Sequence, residues 1–232
     1  MREEDFTFIQ DNSTGGRTVS LVNGKPSCST DRGYNAYTLG LNLSGIADGS
    51  EAVVVRAISG DAIYDKNGNP ANVHLTFRPG TSADYFNNKH LNDKLSPTFV
   101  SNDVILADDN SYMDVKFSED VYSIFNLNRE STGILQLSDD FVFTFTANEE
   151  EGGQAEGVTI TSIKHDDNVI ESEASALTEG ADTIRVFLDV AGSPSGVEVI
   201  ELKPLGSQTI FDKSGNPMDQ NQSSGQILLN DK

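Results

Sequence analysis

The chain has 232 residues, with 36 acidic and 16 basic side chains and a formal net charge of -20. Nucleic acids and anionic lipids are bound by clustered Lys and Arg, and the sequence has no such cluster, which argues against both partners. It also lacks an apolar run of about 18 residues, so no membrane insertion is predicted. The charged start, MREEDF, predicts no signal peptide at this end. Cys28 is the only cysteine, which excludes an internal disulfide and a Cys-rich zinc site.

Short segments with alternating apolar residues follow one another along the chain and predict β-strands. Gly, Asn, Asp, Ser or Pro bounds each of them, which is typical of an all-β sandwich. The best helical candidate is EDVYSIFNLN, from Glu119 to Asn128, where one short turn or helix is expected. In chain order, the strand-like segments are DFTFIQ, YTLGLNL, EAVVVRAIS, YMDVKFSEDV, DDFVFTFTA, GVTITSI, DTIRVFLDV and GVEVIELK.

The alternation also predicts which side chains face a core. In DDFVFTFTA these are Phe141, Phe143 and Phe145, and in GVEVIELK they are Val197 and Val199. If Phe143 belongs to the core, Phe143→Ala should cost roughly 3–5 kcal/mol.

One phrase occurs twice: AIYDKNGNP begins at Ala62, and TIFDKSGNP begins at Thr209. Similar strand-like segments precede both in the same order, and LNDK ends at Lys94 and again at Lys232. We therefore predict two copies of one module, over 1–94 and 95–232. The second copy opens with SPTFVSNDVILADDNSYMDVKFSEDVYS, which has no counterpart in the first. The first module is therefore expected to lack its N-terminal strands, unless another chain or an earlier segment supplies them.

The second copy resembles bacterial Ig-like repeats, including the SwmB-like type. Its opening, SPTFVSNDVILADDNSYMDVKFSEDV, is similar to the first two strands of such repeats, and TIFDKSGNPM is similar to a phrase near their end. The resemblance covers nearly all of 95–232 and the later two thirds of a repeat in 1–94. It implies two tandem Ig-like Greek-key β-sandwiches in a large surface or secreted bacterial protein. The implied role is that of a spacer or adhesion module at the cell surface or outside the cell, not of an enzyme.

The repeated phrase from Asp65 to Pro70 has two readings. As a turn, Gly68 supplies a positive φ, the Asp65 carboxylate accepts a backbone N–H, and Pro70 ends the strand. As a Ca²⁺ site, Asp65, Asn67 and Asn69 occupy alternate positions of an acidic loop, and oxygen atoms are the ligands that Ca²⁺ prefers. An EF-hand is excluded because Pro stands where its Gly is required. The second copy repeats the candidate ligands as Asp212, Ser214 and Asn216, and neighbouring acids that could complete a site are Asp219, Asp108, Asp109, Asp166 and Asp167.

No catalytic pattern emerges from the sequence. The three histidines, His74, His90 and His165, share no metal-binding spacing, and there is no G-x-S-x-G or Gly-rich phosphate loop. The acidic pairs Asp139–Asp140 and Glu119–Asp120 are expected on strands, where adjacent side chains point to opposite faces and do not converge on one bond. The sequence therefore predicts a protein that is not an enzyme.

Carbohydrate binding is the alternative function, because sugars stack on exposed aromatic rings. The candidates are Tyr34, Tyr37, Tyr85 and Phe86, with Tyr85 and Phe86 in ADYFNNKHLN as the expected platform. The competing reading is that these rings pack against the neighbouring module. The main prediction is a spacer or adhesion segment, stabilised by Ca²⁺, that contacts neighbouring repeats, a glycan or a surface protein. The alternative is a carbohydrate-binding or accessory module of a secreted polysaccharide-active enzyme.

Overall fold

The computed structural model describes residues 5–11, 18–22, 27–28, 37–71 and 88–232. The chain divides into two compact units, Met1–Leu95 and Ser96–Lys232. The described part is predominantly β with antiparallel pairing throughout, which fits the predicted all-β class. No helix in the described ranges is long and apolar enough to span a membrane.

The described strands of the first unit form one three-stranded sheet and two short pairs. The strands are β1 (Phe6–Asp11), β2 (Val19–Leu21), β3 (Ser27–Cys28), β4 (Tyr37–Thr38), β5 (Leu41–Leu43), β6 (Ala52–Ala57) and β7 (Asn88–His90). The sheet has the order β1-β6-β7, while β2 pairs with β5 and β3 pairs with β4.

The second unit is built from ten strands and very little helix. Its helical elements are α1 (Leu137–Asp140) and 3-10 turns at Ser101–Asp103 and Glu149–Glu151. Its strands are β8 (Ile105–Leu106), β9 (Tyr112–Tyr122), β10 (Ile124–Phe125), β11 (Ser131–Thr132), β12 (Phe141–Thr146), β13 (Ala155–Lys164), β14 (Ala181–Gly192), β15 (Val199–Pro204), β16 (Phe211–Asp212) and β17 (Ile227–Leu228).

Two sheets of the second unit share one hydrophobic core. The larger has the order β13-β14-β9-β16, with β8 also paired to β9, and the smaller has the order β12-β15-β17. Strand β9 alternates as its sequence predicts, because its odd-numbered apolar residues are buried and the residues between them are not. The core cluster joins side chains of both sheets, which is the packing of a two-layer β protein. Its central members are Met113, Val115, Phe117, Ile184, Val186, Ile200 and Leu202.

The three-stranded sheets of the two units have the same order and register. The first residue of β1, Phe6, lies opposite Ala57, the last of β6. In the second unit, Phe141 begins β12 and lies opposite Pro204, the last residue of β15. The third strands also agree, since Ala52 and Val199, which begin β6 and β15, pair with His90 of β7 and Leu228 of β17.

The main-chain bonds that flank these sheets agree as well. Ile58 donates its N–H to the carbonyl oxygen of Asp5 at 3.0 Å, and Leu205 donates to that of Asp140 at 2.8 Å. Leu91 donates to Glu51, as Leu229 does to Glu198, each at 2.9 Å. The same three-stranded sheet, with the same flanking hydrogen bonds, is therefore present in both units.

Two expectations from the sequence differ from the structure. Of the short turn or helix expected within residues 119–128, only the turn is present: β9 runs through Tyr122, the segment continues into β10, and Arg129 then donates its N–H to the Asn126 carbonyl oxygen at 3.0 Å. The residues pair instead, Ile124 with Thr132 and Phe125 with Ser131. The inward row of β15 is also shifted by one residue from the expected Val197 and Val199. The buried residues are Glu198, Ile200, Leu202 and Pro204.

Candidate functional site

The first Asp-Lys-x-Gly-Asn-Pro corner is a tight hairpin closed by its own aspartate. Asp65 Oδ1 accepts the N–H groups of Asn67 and Asn69, each at 2.8 Å, and Oδ2 accepts the Asn69 side-chain amide at 2.8 Å. Gly68 has a φ of 84°, which only glycine adopts readily, and its N–H donates to the Asp65 carbonyl oxygen at 3.1 Å. The hydrogen bonds from Asn69 hold the pKa of the Asp65 carboxyl below its usual value.

The second corner repeats this geometry. Asn216 donates its backbone N–H to Asp212 Oδ1 at 2.7 Å and its side-chain amide to Oδ2 at 2.6 Å. Gly215 has a φ of 83° and donates its N–H to the Asp212 carbonyl oxygen at 3.2 Å. Each proline lies opposite the aromatic residue of its corner, Pro70 opposite Tyr64 and Pro217 opposite Phe211. The turn reading of the phrase accounts for all of these bonds.

The surroundings of the two corners differ. Residues 65–70 are all exposed, and no described residue lies within 4 Å of the position where a Gly68 side chain would begin. Asp212, by contrast, is fully buried and pairs with Val121 of β9. The ring of Phe125 lies directly over Gly215, where an added Cβ would come within 2.2 Å of it. The second corner is therefore built into its unit, whereas the first lies on the surface.

The structure places the other proposed Ca²⁺ ligands in separate turns. Asp219 Oδ1 accepts the N–H and side-chain amide of Asn221, each at 2.9 Å, so it closes its own turn. Asp109 Oδ1 accepts the N–H of Ser111 at 3.1 Å, and Asp167 Oδ1 accepts the N–H of Ser175, eight residues further on, at 3.0 Å. Within either unit, no three described His, Cys, Asp or Glu side chains place their ligand atoms within 4.8 Å of one another. The Ca²⁺ hypothesis stays a prediction, and several of its candidate carboxylates already accept hydrogen bonds, namely those of Asp65, Asp212, Asp219, Asp109 and Asp167.

The aromatic platform proposed for carbohydrate binding, Tyr85 and Phe86, lies outside the described residues, as do Tyr34 and His74. The acidic pairs are described, and one of them was misplaced. Glu119–Asp120 lies in β9 as expected, but Asp139–Asp140 lies in α1 rather than in a strand.

A buried glutamate, Glu198, that no sequence pattern indicated holds two loops of the second unit together by hydrogen bonds. Glu198 is fully buried, and its carboxylate accepts main-chain N–H groups from Gln154 at 2.6 Å, Ala155 at 2.9 Å, Ser195 at 3.0 Å and Val197 at 3.2 Å. Burial by itself would raise the pKa of this carboxyl, but the backbone donors outweigh it and lower the pKa to about 2. A carboxylate in this setting links the start of β13 to the loop before β15.

The first unit has a glutamate at the matching position. Glu51 is 4% exposed and precedes β6, as Glu198 precedes β15, and it accepts the N–H of Asp48 at 3.2 Å. Asp48 and Ser195 each stand three residues before their glutamate. The signal in the sequence was the recurrence of Glu near the start of both Val-rich segments.

Asp140 is a second buried acid, and its pKa is shifted in the opposite direction from that of Glu198. It is 2% exposed, and its Oδ2 accepts the N–H of Gln136 at 2.7 Å. Burial raises the pKa of Asp140 to about 6; the Gln136 N–H opposes this rise, and the neighbouring charge of Asp139 adds to it. The folded chain therefore holds the proton of this carboxyl more tightly than an unfolded chain would.

This raised pKa predicts that Asp140→Asn stabilises the second unit at alkaline pH. The folded pKa of about 6 exceeds the ordinary 3.8. The contribution of protonated Asp140 to the stability of the folded state is therefore complete below about pH 3.8 and is lost as pH rises through 6. We expect Asp140→Asn to raise the free energy of unfolding by about 1–2 kcal/mol at pH 8 and to leave it nearly unchanged at pH 3. Urea unfolding at both pH values measures this, with exposed Asp120→Asn as the control; equal effects at the two pH values would contradict the assignment.

We compared the chain with models of protein families, with curated proteins and with solved structures, and found no match in any of the three.

Proposed function

We propose that this chain is a non-catalytic repeat segment of a bacterial cell-surface or secreted protein, where it acts as a spacer and adhesion module. The observation that supports the proposal most strongly is the recurrence, in two consecutive units, of one sheet, one buried glutamate and one corner. Recurrent modules in series are typical of proteins whose task is to extend, because each module adds length without a new fold. The two units are, in this proposal, tandem Ig-like β-sandwiches.

The closing residues of both units support a mechanical role. Lys94 donates its N–H to the carbonyl oxygen of Ala47 at 2.8 Å, and Lys232 donates to Pro194 at 2.9 Å. Each bond ties the chain, where the unit ends, to the loop that carries the buried glutamate. Tension applied to the ends is thus transmitted to hydrogen-bonded backbone.

The described buried carboxylates support the non-catalytic part of the proposal. Glu198 and Asp140 both accept main-chain N–H groups, and Asp212 accepts both nitrogen donors of Asn216. A general acid or base needs access to a substrate proton. These groups instead hold the turns and loops of their own unit.

Single-molecule pulling of the full chain by its two ends tests the spacer role. We expect two separate unfolding events, one per unit. The Ser96–Lys232 unit should release roughly 400–500 Å of contour length, from about 3.3–3.6 Å per residue. A single event for the whole chain, or extension without any force peak, would contradict a series of independent spacer modules.

The same pulling experiment, repeated in CaCl₂ and in EDTA, tests the Ca²⁺ hypothesis. If Ca²⁺ binds the corners, unfolding forces should be higher in CaCl₂, since a ligand of the folded state stabilises it by mass action. Asn67→Ala and Ser214→Ala are the informative variants, because no hydrogen bond that closes either corner uses these side chains. Ca²⁺ coordination predicts that these substitutions abolish the difference in unfolding force between CaCl₂ and EDTA. A turn that binds no Ca²⁺ predicts equal unfolding forces in the two media, with or without the substitutions.

Adhesion is tested separately by applying the full chain to a glycan array. Glycan binding that Tyr85→Ala and Phe86→Ala abolish would favour the carbohydrate-binding alternative over a pure spacer.

A further inference from the structure

The first corner leaves one strand edge open. Ile63 accepts the N–H of Ala71 at 2.8 Å, and Asp65 donates its N–H to Asn69 at 2.9 Å, so both residues bond inward across the hairpin. Successive residues of a strand direct their main-chain groups to opposite sides. The N–H and C=O of Tyr64 therefore point away from the hairpin, and no described residue hydrogen-bonds to them.

In the second unit, the equivalent edge is covered by β9. Ile210 accepts the N–H of Met218 at 2.8 Å and Asp212 donates to Asn216 at 3.0 Å, as in the first corner. Phe211, between them, lies opposite Tyr122 of β9. Coverage changes the environment of the aromatic residue, because Phe211 is 6% exposed while Tyr64 is 49% exposed.

We propose that the Ile63–Asp65 edge binds a β-strand of the β9 type, supplied by a separate polypeptide. The proposal rests on the equivalence of the two units that also supports the proposed function. Addition of an extended peptide to an open sheet edge is an established recognition mode, in which main-chain bonds give affinity and alternate side chains give specificity.

The partner's chemistry follows from what β9 contributes to the second unit. Its inward residues Met113, Val115 and Phe117 are almost fully buried in the core, and Val121 is buried where β9 meets β16. The residues between them are polar, including Asp114 and Lys116. A strand that completes the first unit should therefore alternate large apolar and polar residues over about ten positions.

A labelled peptide with the chain's own sequence 110–123 is the probe, added to the full chain and followed by fluorescence anisotropy. We expect saturable binding, together with slower hydrogen exchange at the Tyr64 N–H. Tyr64→Pro removes that donor from an edge strand, where proline is tolerated, and should weaken binding by about tenfold or more. Tyr64→Phe keeps the donor, places the residue of the second corner there, and should bind as the parent chain does.

Two controls separate strand addition from unspecific association. A peptide in which Met113, Val115 and Phe117 are replaced by Ser should not bind. Hydrogen exchange of β6 should be the same in Tyr64→Pro as in the parent chain, which shows that the variant retains its sheet.

Three results would overturn the proposal. One is equal binding by Tyr64→Pro and Tyr64→Phe, and another is slow exchange of the Tyr64 N–H without peptide, which would mean that the edge is already covered. The third is a concentration-dependent dimer that Tyr64→Pro abolishes, which would assign the edge to a second copy of this chain. None of these results alters the number of force peaks expected for two spacer units, so the two proposals fail independently.

Discussion

Replacing Glu198 with glutamine should lower the free energy of unfolding of the second unit by about 3 kcal/mol at pH 7. The Glu198 carboxylate accepts four main-chain N–H groups, from Gln154, Ala155, Ser195 and Val197. Glutamine has one acceptor oxygen, and its amide N–H₂ would face backbone donors that it cannot satisfy. Buried donors left without a partner are costly, which accounts for the large expected loss in the free energy of unfolding.

The loss should depend on pH in a defined direction. The pKa of Glu198 in the folded chain, about 2, lies below its ordinary value of 4.5. The stability that its charge supplies is therefore complete above about pH 4.5 and disappears as pH falls toward 2. Urea unfolding of Glu198→Gln and the parent chain from pH 7 to pH 2 should show the two curves converging, with exposed Glu130→Gln as the control. A difference that stays constant over this range would show that the carboxylate charge is not the source of the stability.

Phe117→Ala should be the most damaging single truncation in the second unit, at about 3–5 kcal/mol. Phe117 is 1% exposed, and its ring centroid lies 5.3 Å from that of Phe99. It stands in β9, whose buried row joins both sheets in one core. Removing the ring would leave a cavity that close-packed neighbours fill only in part.

Phe143→Ala is the matched comparison, because the sequence alone predicts the same cost for it. The structure makes Phe143 only partly buried, packed against the core rather than inside it. We therefore expect Phe143→Ala to destabilise the second unit by less than Phe117→Ala does. Thermal and urea unfolding of both variants measure this, and an equal or larger effect for Phe143→Ala would contradict the assignment of the core to β9.

Much of the fold could be predicted because its signals are local. The alternation in YMDVKFSEDV matches the buried row of β9, and the recurrence of Asp-Lys-x-Gly-Asn-Pro matches two corners with shared hydrogen bonds. Gly68 and Gly215 adopt the positive φ that the turn reading requires. Turn chemistry of this kind depends on a few neighbouring residues, so sequence suffices to predict it.

The features that sequence missed depend on partners far along the chain. Glu198 was assigned to the polar row of β15, because nothing in GVEVIELK shows that the N–H groups of Gln154 and Ala155 meet it. No helix forms between Glu119 and Asn128, where a short turn or helix is expected, since β9 is held by β14 and β16. Tertiary pairing overrides local propensity in such segments. The exposure that distinguishes Asp65 from Asp212 likewise depends on β9, which the corner sequence does not contain.

Both units are built on the same frame of main-chain hydrogen bonds. Scalar couplings across these hydrogen bonds, measured by NMR on the isotope-labelled full chain, test the shared frame most directly. We expect a coupling between the nitrogen of Leu91 and the carbonyl carbon of Glu51, matched by one between Leu229 and Glu198. The Lys94–Ala47 coupling should likewise be matched by Lys232–Pro194. If the coupled pairs of the second unit had no counterparts at the matching positions of the first unit, the two units would not share a frame.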